Sequence, residues 1–225
     1  MKRGALWGGG AVLLAVVIVA VAYLFPILSV SSIKVNGTVH ADVNAIRDES
    51  GISEGDNMLR VDTARVASNV SQVPWVDKVT VSRSWPTAVK IDVVENVPVG
   101  YVMDGSTPLV VNAEGRVFLQ GVQPEGVLEF VDTPSDDTDA IRAGATAVAA
   151  LPDDVRGQLE RIEVPDAESV LLFFSEGRRV FWGTAERAEE KAEATRVVLS
   201  QEGSDWNVSN PAMPTVRDYV PPPAP

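Results

Sequence analysis

Few of the side chains that usually carry out catalysis occur in this chain. Its 225 residues include no Cys and a single His, His40. Without Cys there is no thiolate nucleophile, disulfide, iron–sulfur cluster or thiolate zinc site, and one His excludes any site that needs two imidazoles. A Ser–His–Asp triad would have to use His40, for which a polar residue near the start of a helix is the favoured interpretation.

Carboxylates are the remaining candidates, and they occur as the adjacent pairs Asp136/Asp137 and Asp153/Asp154. Neither pair has the spacing of a calcium loop, and adjacent acidic residues in loops are usually solvated. The formal net charge of −12 also argues against nucleic acid, because phosphate contacts need a basic face. The sequence therefore predicts that the chain is not an enzyme, with no catalytic residue, no metal, no cofactor and no small-molecule substrate.

The N-terminal segment is typical of a membrane span. Residues 6–28 are almost entirely apolar, and residues 4–33 include no charged side chain. A helix over residues 6–28 would be about 34 Å long, which is enough to cross a hydrocarbon core of about 30 Å. Lys2 and Arg3 precede it, so residues 1–5 are expected to be a cytoplasmic stub and the later domains to be extracytoplasmic.

A cleaved signal peptide is the alternative for this segment. Ala20-Val21-Ala22 resembles a cleavage site, but the apolar run is longer than a usual signal-peptide core and continues beyond it. We therefore expect a single-pass protein inserted in the cell membrane. The mature N-terminus distinguishes the two possibilities. A chain that begins at Met1 keeps the anchor, whereas a chain that begins at Tyr23 has been cleaved and released.

Residues 30–98 predict a small α+β domain with the order strand, helix, helix, strand, strand. One helix is expected to end at Gly51, and the next to begin after Asp62, which is a good N-cap. After Trp75, apolar and polar residues alternate, which predicts two strands with one buried face. The apolar positions are Val79, Val81, Val89, Ile91 and Val93.

An ordered set of short motifs in this domain resembles the POTRA domain of the FtsQ/DivIB family of bacterial cell-division proteins. The motifs are Ser32-Ile-Lys-Val-Asn-Gly37, Gly51-Ile-Ser-Glu-Gly55, Asn57-Met-Leu59, Pro74-Trp-Val76, Val81-Ser-Arg83 and Trp85-Pro86. They follow directly after one apolar N-terminal segment, as in that family. Residues 94–99 lack the Arg of the family's usual Glu-Arg-x-Pro pattern, so no role is transferred to Asn96.

Residues 99–220 predict an antiparallel β-rich domain with one or two helices, which resembles the β domain of the same family. Its expected elements are hairpins at 109–119 and 170–182, a helix at 141–151, and a helix from Thr184 to Gln201. Residues 206–209 are expected to form the final strand at a sheet edge, because Pro211 and Pro214 argue against further pairing. Residues 221–225 predict a Pro-rich disordered tail.

The resemblance implies a membrane-anchored divisome scaffold at the division septum. Its implied partners are FtsB and FtsL-like bitopic proteins and, indirectly, the septal peptidoglycan synthase FtsW/FtsI. In that family the last strand of the β domain and the preceding helix bind FtsB. By position, this partner-binding role falls on Trp206, Val208, Ser209 and Asn210, with Val216, Arg217 and Tyr219 as flanking contacts. The alternative is an exported acidic protein that is released by signal cleavage and binds a ligand or the cell wall.

Replacing both Val17 and Ile18 with Arg tests the predicted span. Each Arg at the centre of a membrane helix costs about 2.5–3.5 kcal/mol of insertion free energy, so the double variant is expected to leave the membrane fraction. Cell fractionation measures this directly. A double variant that remains embedded would show that the span lies elsewhere.

Overall fold

The computed structural model describes residues 28–217 together with Leu13, Leu14, Val16, Val17 and Tyr23. Most of the predicted span at residues 6–28 and the whole tail at 221–225 therefore lie outside the described residues. Over the part that is described, no helix is both long enough and apolar enough to cross a membrane. The chain divides into two compact units, residues 1–96 and residues 97–225.

The first unit has the predicted order of strand, helix, helix, strand, strand. Its elements are β1 (Ser32–Asn36), α1 (Val43–Ser50), α2 (Thr63–Val70), β2 (Val76–Ser84) and β3 (Ala88–Glu95). The sheet order is β1-β3-β2, in which β1 is parallel to β3 and β2 is antiparallel to it. The predicted α+β class of this domain is confirmed.

Local capping sets the boundaries of both helices in this unit. Gly51 follows α1 with a φ of 65°, a conformation that side chains with a Cβ rarely adopt, and donates its N–H to the carbonyl of Asp48. Asp62 precedes α2, and its carboxylate accepts the N–H groups of Ala64 and Arg65 at 3.1 Å each. Both caps agree with the sequence prediction.

The alternation along β3 determines which face packs against the helices. Val89, Ile91 and Val93 are buried, whereas Lys90 between them is exposed. The buried residues join a core with helix residues that include Ile46. The predicted register of this strand is therefore confirmed.

Glu95, at the end of β3, forms hydrogen bonds with the segment that precedes α1. Its carboxylate accepts the N–H groups of Val39, His40 and Ala41 at 2.7, 3.0 and 2.8 Å, and His40 Nδ1 lies 3.0 Å from Oε2. The His40 ring also stacks on Trp75, with 4.6 Å between the ring centroids. Burial alone would raise the pKa of Glu95, but these hydrogen bonds outweigh it and hold the pKa below its ordinary value.

The second unit contains two sheets and three helices within its described part. The strands are β4 (Gly100–Asp104), β5 (Thr107–Val111), β6 (Val117–Gln120), β7 (Phe130–Val131), β8 (Leu159–Glu163), β9 (Val170–Phe174), β10 (Arg178–Gly183), β11 (Asp205–Asn207) and β12 (Thr215–Arg217). The helices are α3 (Thr138–Ala150), α4 (Asp153–Arg156) and α5 (Ala188–Val198). The larger sheet has the order β12-β11-β10-β9-β8-β7, and the smaller has the order β4-β5-β6.

The expectation of an antiparallel domain with one or two helices is wrong in two respects. The pairs β7–β8 and β10–β11 are parallel, and α4 is an additional short helix. Parallel neighbours need a crossover connection. Helices α3 and α4 supply it between β7 and β8, and α5 supplies it between β10 and β11.

Helix α5 begins at Ala188 and ends at Val198, so the predicted helix from Thr184 to Gln201 is too long. Its N-cap is Arg187, whose φ of 55° is left-handed and whose side chain makes no capping bond. Thr184 lies three residues before this N-cap and does not cap the helix. Its carbonyl and hydroxyl oxygens accept from Lys191 Nζ at 2.8 and 3.4 Å. Lys191 is 2% exposed, and this burial lowers the pKa of its ammonium group.

Ile91→Asp is expected to unfold the first unit. The new carboxylate would lie unpaired at a position with 0% exposure, at a cost of about 3–5 kcal/mol. The matched control is Asp92→Asn on the opposite face of the same strand, which should change stability little. Thermal unfolding of the full chain measures both variants, and equal losses would show that the register of β3 is wrong.

Glu95→Gln is expected to lower the stability of the first unit by about 2 kcal/mol at neutral pH, because the amide cannot accept as many N–H groups. The folded state lowers the pKa of Glu95, so its contribution is complete above the unfolded value of about 4.3 and is lost as the pH falls below it. The free energies of unfolding of wild type and Glu95→Gln should therefore become equal at acid pH.

Urea unfolding of the full chain over a range of pH values measures this convergence. Glu54→Gln, which changes an exposed carboxylate in the turn after α1, is the control. A constant difference between wild type and Glu95→Gln down to acid pH would contradict the assigned role.

Candidate functional site

Strand β12 forms one end of the six-stranded sheet. It pairs with β11 in antiparallel register, and Thr215, Val216 and Arg217 are all exposed. Its other side has no strand partner within residues 28–217. An edge of this kind leaves main-chain donors and acceptors available to a partner.

The prediction that residues 206–209 form the edge strand is wrong. Residues 206 and 207 belong to β11, which lies between β10 and β12, and the chain returns through the connection 208–214 to add one more strand. Pro214 lies immediately before β12. Because Pro lacks only its own N–H, its presence at this point does not prevent the next three residues from pairing.

Six of the seven predicted partner-binding residues separate into three groups. Trp206 and Val208 belong to the core of the second unit, at 6% and 0% exposure. Ser209 and Asn210 lie in the exposed connection, where the N–H and the hydroxyl of Ser209 both donate to Asn207 Oδ1. Val216 and Arg217 lie on the free strand, and Tyr219 lies outside the described residues.

The direction of the main chain in β11 follows from its bonds to β10. Arg179 donates its N–H to the carbonyl of Ser204 at 2.7 Å, and Val208 donates to the carbonyl of Phe181 at 2.9 Å. The N–H and C=O of one strand residue point to the same edge, and the next residue points to the opposite edge. The even-numbered residues of β11 therefore direct their main-chain groups toward β10.

The odd-numbered residues of β11 must then bond to β12. Asp205 and Asn207 are in register with Arg217 and Thr215, so these two β12 residues direct their main-chain groups inward. Val216 lies between them and directs its N–H and C=O away from the sheet. One residue thus presents both a donor and an acceptor at the free edge.

The side chain of Val216 packs toward the core face. It is in register with Trp206, and a Cβ at Gly203 would lie 2.5 Å from Val216 Cγ2. Gly203 therefore allows β12 to approach the chain that leads into β11. On the opposite face, Arg179 donates twice to Asp205, at 3.1 and 2.7 Å, which ties β10 to β11.

A groove of about 600 Å³ lies beside this edge. Its lining comes from α5 and from the connection before β12: Glu189, Glu190, Glu193, Ala194, Val197, Pro211, Ala212 and Pro214. Hydrogen bonds from Arg187 lower the pKa of Glu190, and hydrogen bonds from Arg196 lower that of Glu193. The groove can therefore receive apolar side chains between two glutamates that are each ion-paired with an arginine.

Two patterns in the sequence correspond to this groove. Glu189, Glu190 and Glu193 recur at helical spacing on one side of α5, and Pro211 and Pro214 are three residues apart. Each pattern alone predicts only an exposed helix face or a turn. The sequence alone does not show that the two patterns line one groove.

The structure assembles no catalytic constellation in its described part. Among these residues, no group of three or more His, Cys, Asp or Glu side chains could hold a metal ion. Gly51-Ile-Ser-Glu-Gly55 matches the letters of a nucleophile elbow, but it follows helix α1 rather than a strand. The pairs Asp136/Asp137 and Asp153/Asp154 lie at the starts of α3 and α4.

Comparison with known proteins identifies the family. A family model described as "POTRA domain, FtsQ-type" matches residues 28–96. The chain is 32% identical over 212 residues to the cell division protein FtsQ of Corynebacterium glutamicum, and the match covers 93% of this chain and 96% of that protein. The chain belongs to the FtsQ family of cell division proteins. Its role is therefore in cell division.

Other members of the FtsQ family are similar over most of this chain. The FtsQ protein of Mycobacterium tuberculosis strain H37Rv is 31% identical over 223 residues, which cover 96% of this chain and 71% of that protein. A solved structure of the major extracytoplasmic domain of the cell division protein DivIB from Geobacillus stearothermophilus is 22% identical. That match covers 47% of this chain and 95% of that chain, with a TM-score of 0.35.

Proposed function

We propose that the chain is a membrane-anchored divisome scaffold that recruits and links other cell-division proteins at the septum. Its direct partners would be FtsB and FtsL-like bitopic proteins, and through them it would link to FtsW/FtsI. The single observation that carries this proposal is the free edge of β12, beside a groove on the preceding helix. The family's role in cell division supports the choice of partners.

Strand addition is the binding mode that the edge supports best. A partner segment would bond to the outward N–H and C=O of Val216, and its alternate side chains would lie on the two faces of the sheet. On the core face, side chains of the added strand would lie beside Val216 and the groove of α5. On the other face, they would lie beside Arg217.

The proposed anchor is the apolar segment at residues 6–28, with the N-terminus in the cytoplasm. Lys2 and Arg3 support this orientation, and the two compact units would then lie outside the cytoplasm. The anchored form would tether the second unit, and with it the β12 edge, to the membrane in which division takes place. This placement would favour meetings with other membrane proteins, because both partners diffuse in two dimensions.

The alternative function is that of an exported acidic protein that binds a ligand or the cell wall. Ala20-Val21-Ala22 supports cleavage and release. Mass spectrometry of the mature N-terminus separates the two functions. An intact Met1 supports the scaffold, and a start at Tyr23 supports the released protein.

Val216→Pro tests the strand-addition proposal. The substitution removes the outward N–H and places a ring at the free edge, whereas the inward bonds to β11 come from Thr215 and Arg217. We expect near-native circular dichroism and binding of an FtsB-like ectodomain weakened at least about tenfold, or about 1.4 kcal/mol. Titration calorimetry with the full chain in detergent measures the affinity.

Two further variants serve as controls. Val216→Ala removes most of the side chain but keeps the N–H, so it should bind more tightly than Val216→Pro. Arg217→Pro removes an inward donor and should disturb the β11–β12 pairing itself. Undiminished binding by a well-folded Val216→Pro chain would show that the partner site does not lie on β12.

A further inference from the structure

A surface pocket of about 330 Å³ occurs in the first unit, at the start of α2. Its polar lining consists of Asp56, Asn57, Arg60, Asp62 and Arg65, and buried aliphatic side chains complete it. This volume lies at the lower end of the range for small-molecule sites. The pocket is separate from the β12 edge and groove, which belong to the second unit.

The loop that forms the pocket is hydrogen-bonded to the end of the predicted membrane span. Met58 donates its N–H to the carbonyl of Leu28, and Val30 donates to that of Asp56, each at 2.8 Å. Asn57 Nδ2 also donates to the carbonyl of Tyr23 at 3.1 Å. Leu28 is the last residue of the predicted span, so the pocket lies close to the point where the chain would leave the hydrocarbon.

Arg60 strengthens this placement. Its guanidinium carbon lies 5.8 Å from the centroid of the Tyr23 ring, within the range of a cation–π contact. Tyr side chains near the end of a span usually lie at the level of the lipid headgroups. In the anchored chain, a cation held against such a ring would therefore lie at the depth where lipid phosphates occur.

The carboxylates of the pocket are already bonded to main-chain groups, whereas its guanidinium groups are not paired with carboxylates of the described residues. Asp56 accepts the N–H of Ser53 at 2.9 Å, and Asp62 caps α2, so main-chain groups hold both carboxylates. Arg60 and Arg65 are exposed, and neither forms an ion pair with a carboxylate among residues 28–217. Two guanidinium groups therefore remain available to an anion.

We propose that this pocket binds the headgroup of an anionic glycerophospholipid with free hydroxyl groups, of which phosphatidylglycerol is the simplest. The guanidinium groups of Arg60 and Arg65 would bind the phosphodiester oxygens, which match their paired donors. Asp56 and Asp62 keep lone pairs that accept hydroxyl donors of the headgroup. The same carboxylates would repel a free phosphate dianion, which brings more charge and fewer hydroxyl donors.

The inference rests on the proposed membrane anchor, because only an anchored chain holds this pocket at the headgroup level. Its consequence is that the first unit has a lipid contact of its own, independent of any protein partner. Such a contact would limit the motion of this unit at the membrane surface. The net negative charge of the whole chain would not provide this contact.

The experiment uses the full chain in nanodiscs that contain mostly phosphatidylcholine and a minority of a second lipid. Native mass spectrometry counts the lipids that remain bound after release from the disc. We expect phosphatidylglycerol to be enriched about tenfold over its share in the disc, and the double variant Arg60→Gln, Arg65→Gln to lose this enrichment. The matched control, Lys34→Gln with Lys78→Gln, removes two exposed cations of the same unit and should keep it.

Five other outcomes would overturn the proposal. Equal enrichment of phosphatidylserine would show general attraction of anionic lipids, and equal enrichment of phosphatidylethanolamine would show that the hydroxyl groups do not matter. Displacement of the lipid by millimolar inorganic phosphate would assign the pocket to the free ion. If the chain inserts into the discs but no lipid is enriched, the lipid site is contradicted and the anchor is not. If the chain does not associate with the discs, the proposed anchor is contradicted as well.

Discussion

Every N–H and C=O of a β-strand needs a partner, and the last strand of a sheet finds one on one side only. In the second unit that last strand is β12, and only Val216 directs its main-chain groups outward from the middle of it. A short strand keeps the number of such groups small, which limits unwanted association in the absence of a partner. The same arrangement leaves a donor and an acceptor that a partner strand can satisfy.

Several contacts within the second unit hold this edge in place. Helix α5 provides the crossover that makes β11 parallel to β10, and the ion pair between Arg179 and Asp205 ties those strands together. Gly203 leaves the space in which Val216 packs. The first unit meets the same requirement differently, because the Glu95 carboxylate accepts three main-chain N–H groups that have no strand partner.

Local chemistry made the first unit predictable. Gly51 and Asp62 are strong capping residues, and the alternation around Ile91 is clear, so the order of elements and the buried face followed from the sequence. The misplaced start of α5 in the second unit has a physical cause. Thr184 looks like an N-cap, but its oxygens bind the buried ammonium of Lys191, which lies seven residues later and forms a contact that local patterns do not reveal.

The sequence does not predict strand β12, because three residues are too short to show a period and because Pro214 precedes them. Its pairing depends on the return of the chain through residues 208–214, which is a tertiary feature. The family resemblance placed Val216 and Arg217 among the candidate residues, but it could not show that Trp206 and Val208 lie in the core. The outward direction of Val216 required the register of three strands.

Amide hydrogen exchange at Val216 tests the central claim most directly. The exchange rate of each β12 amide would be measured by NMR in the full chain, with and without a saturating FtsB-like ectodomain. Strand addition predicts that the partner slows exchange at the outward N–H of Val216 much more than at Thr215 and Arg217, which already donate to β11. An unchanged rate at Val216 in the saturated complex would contradict the account.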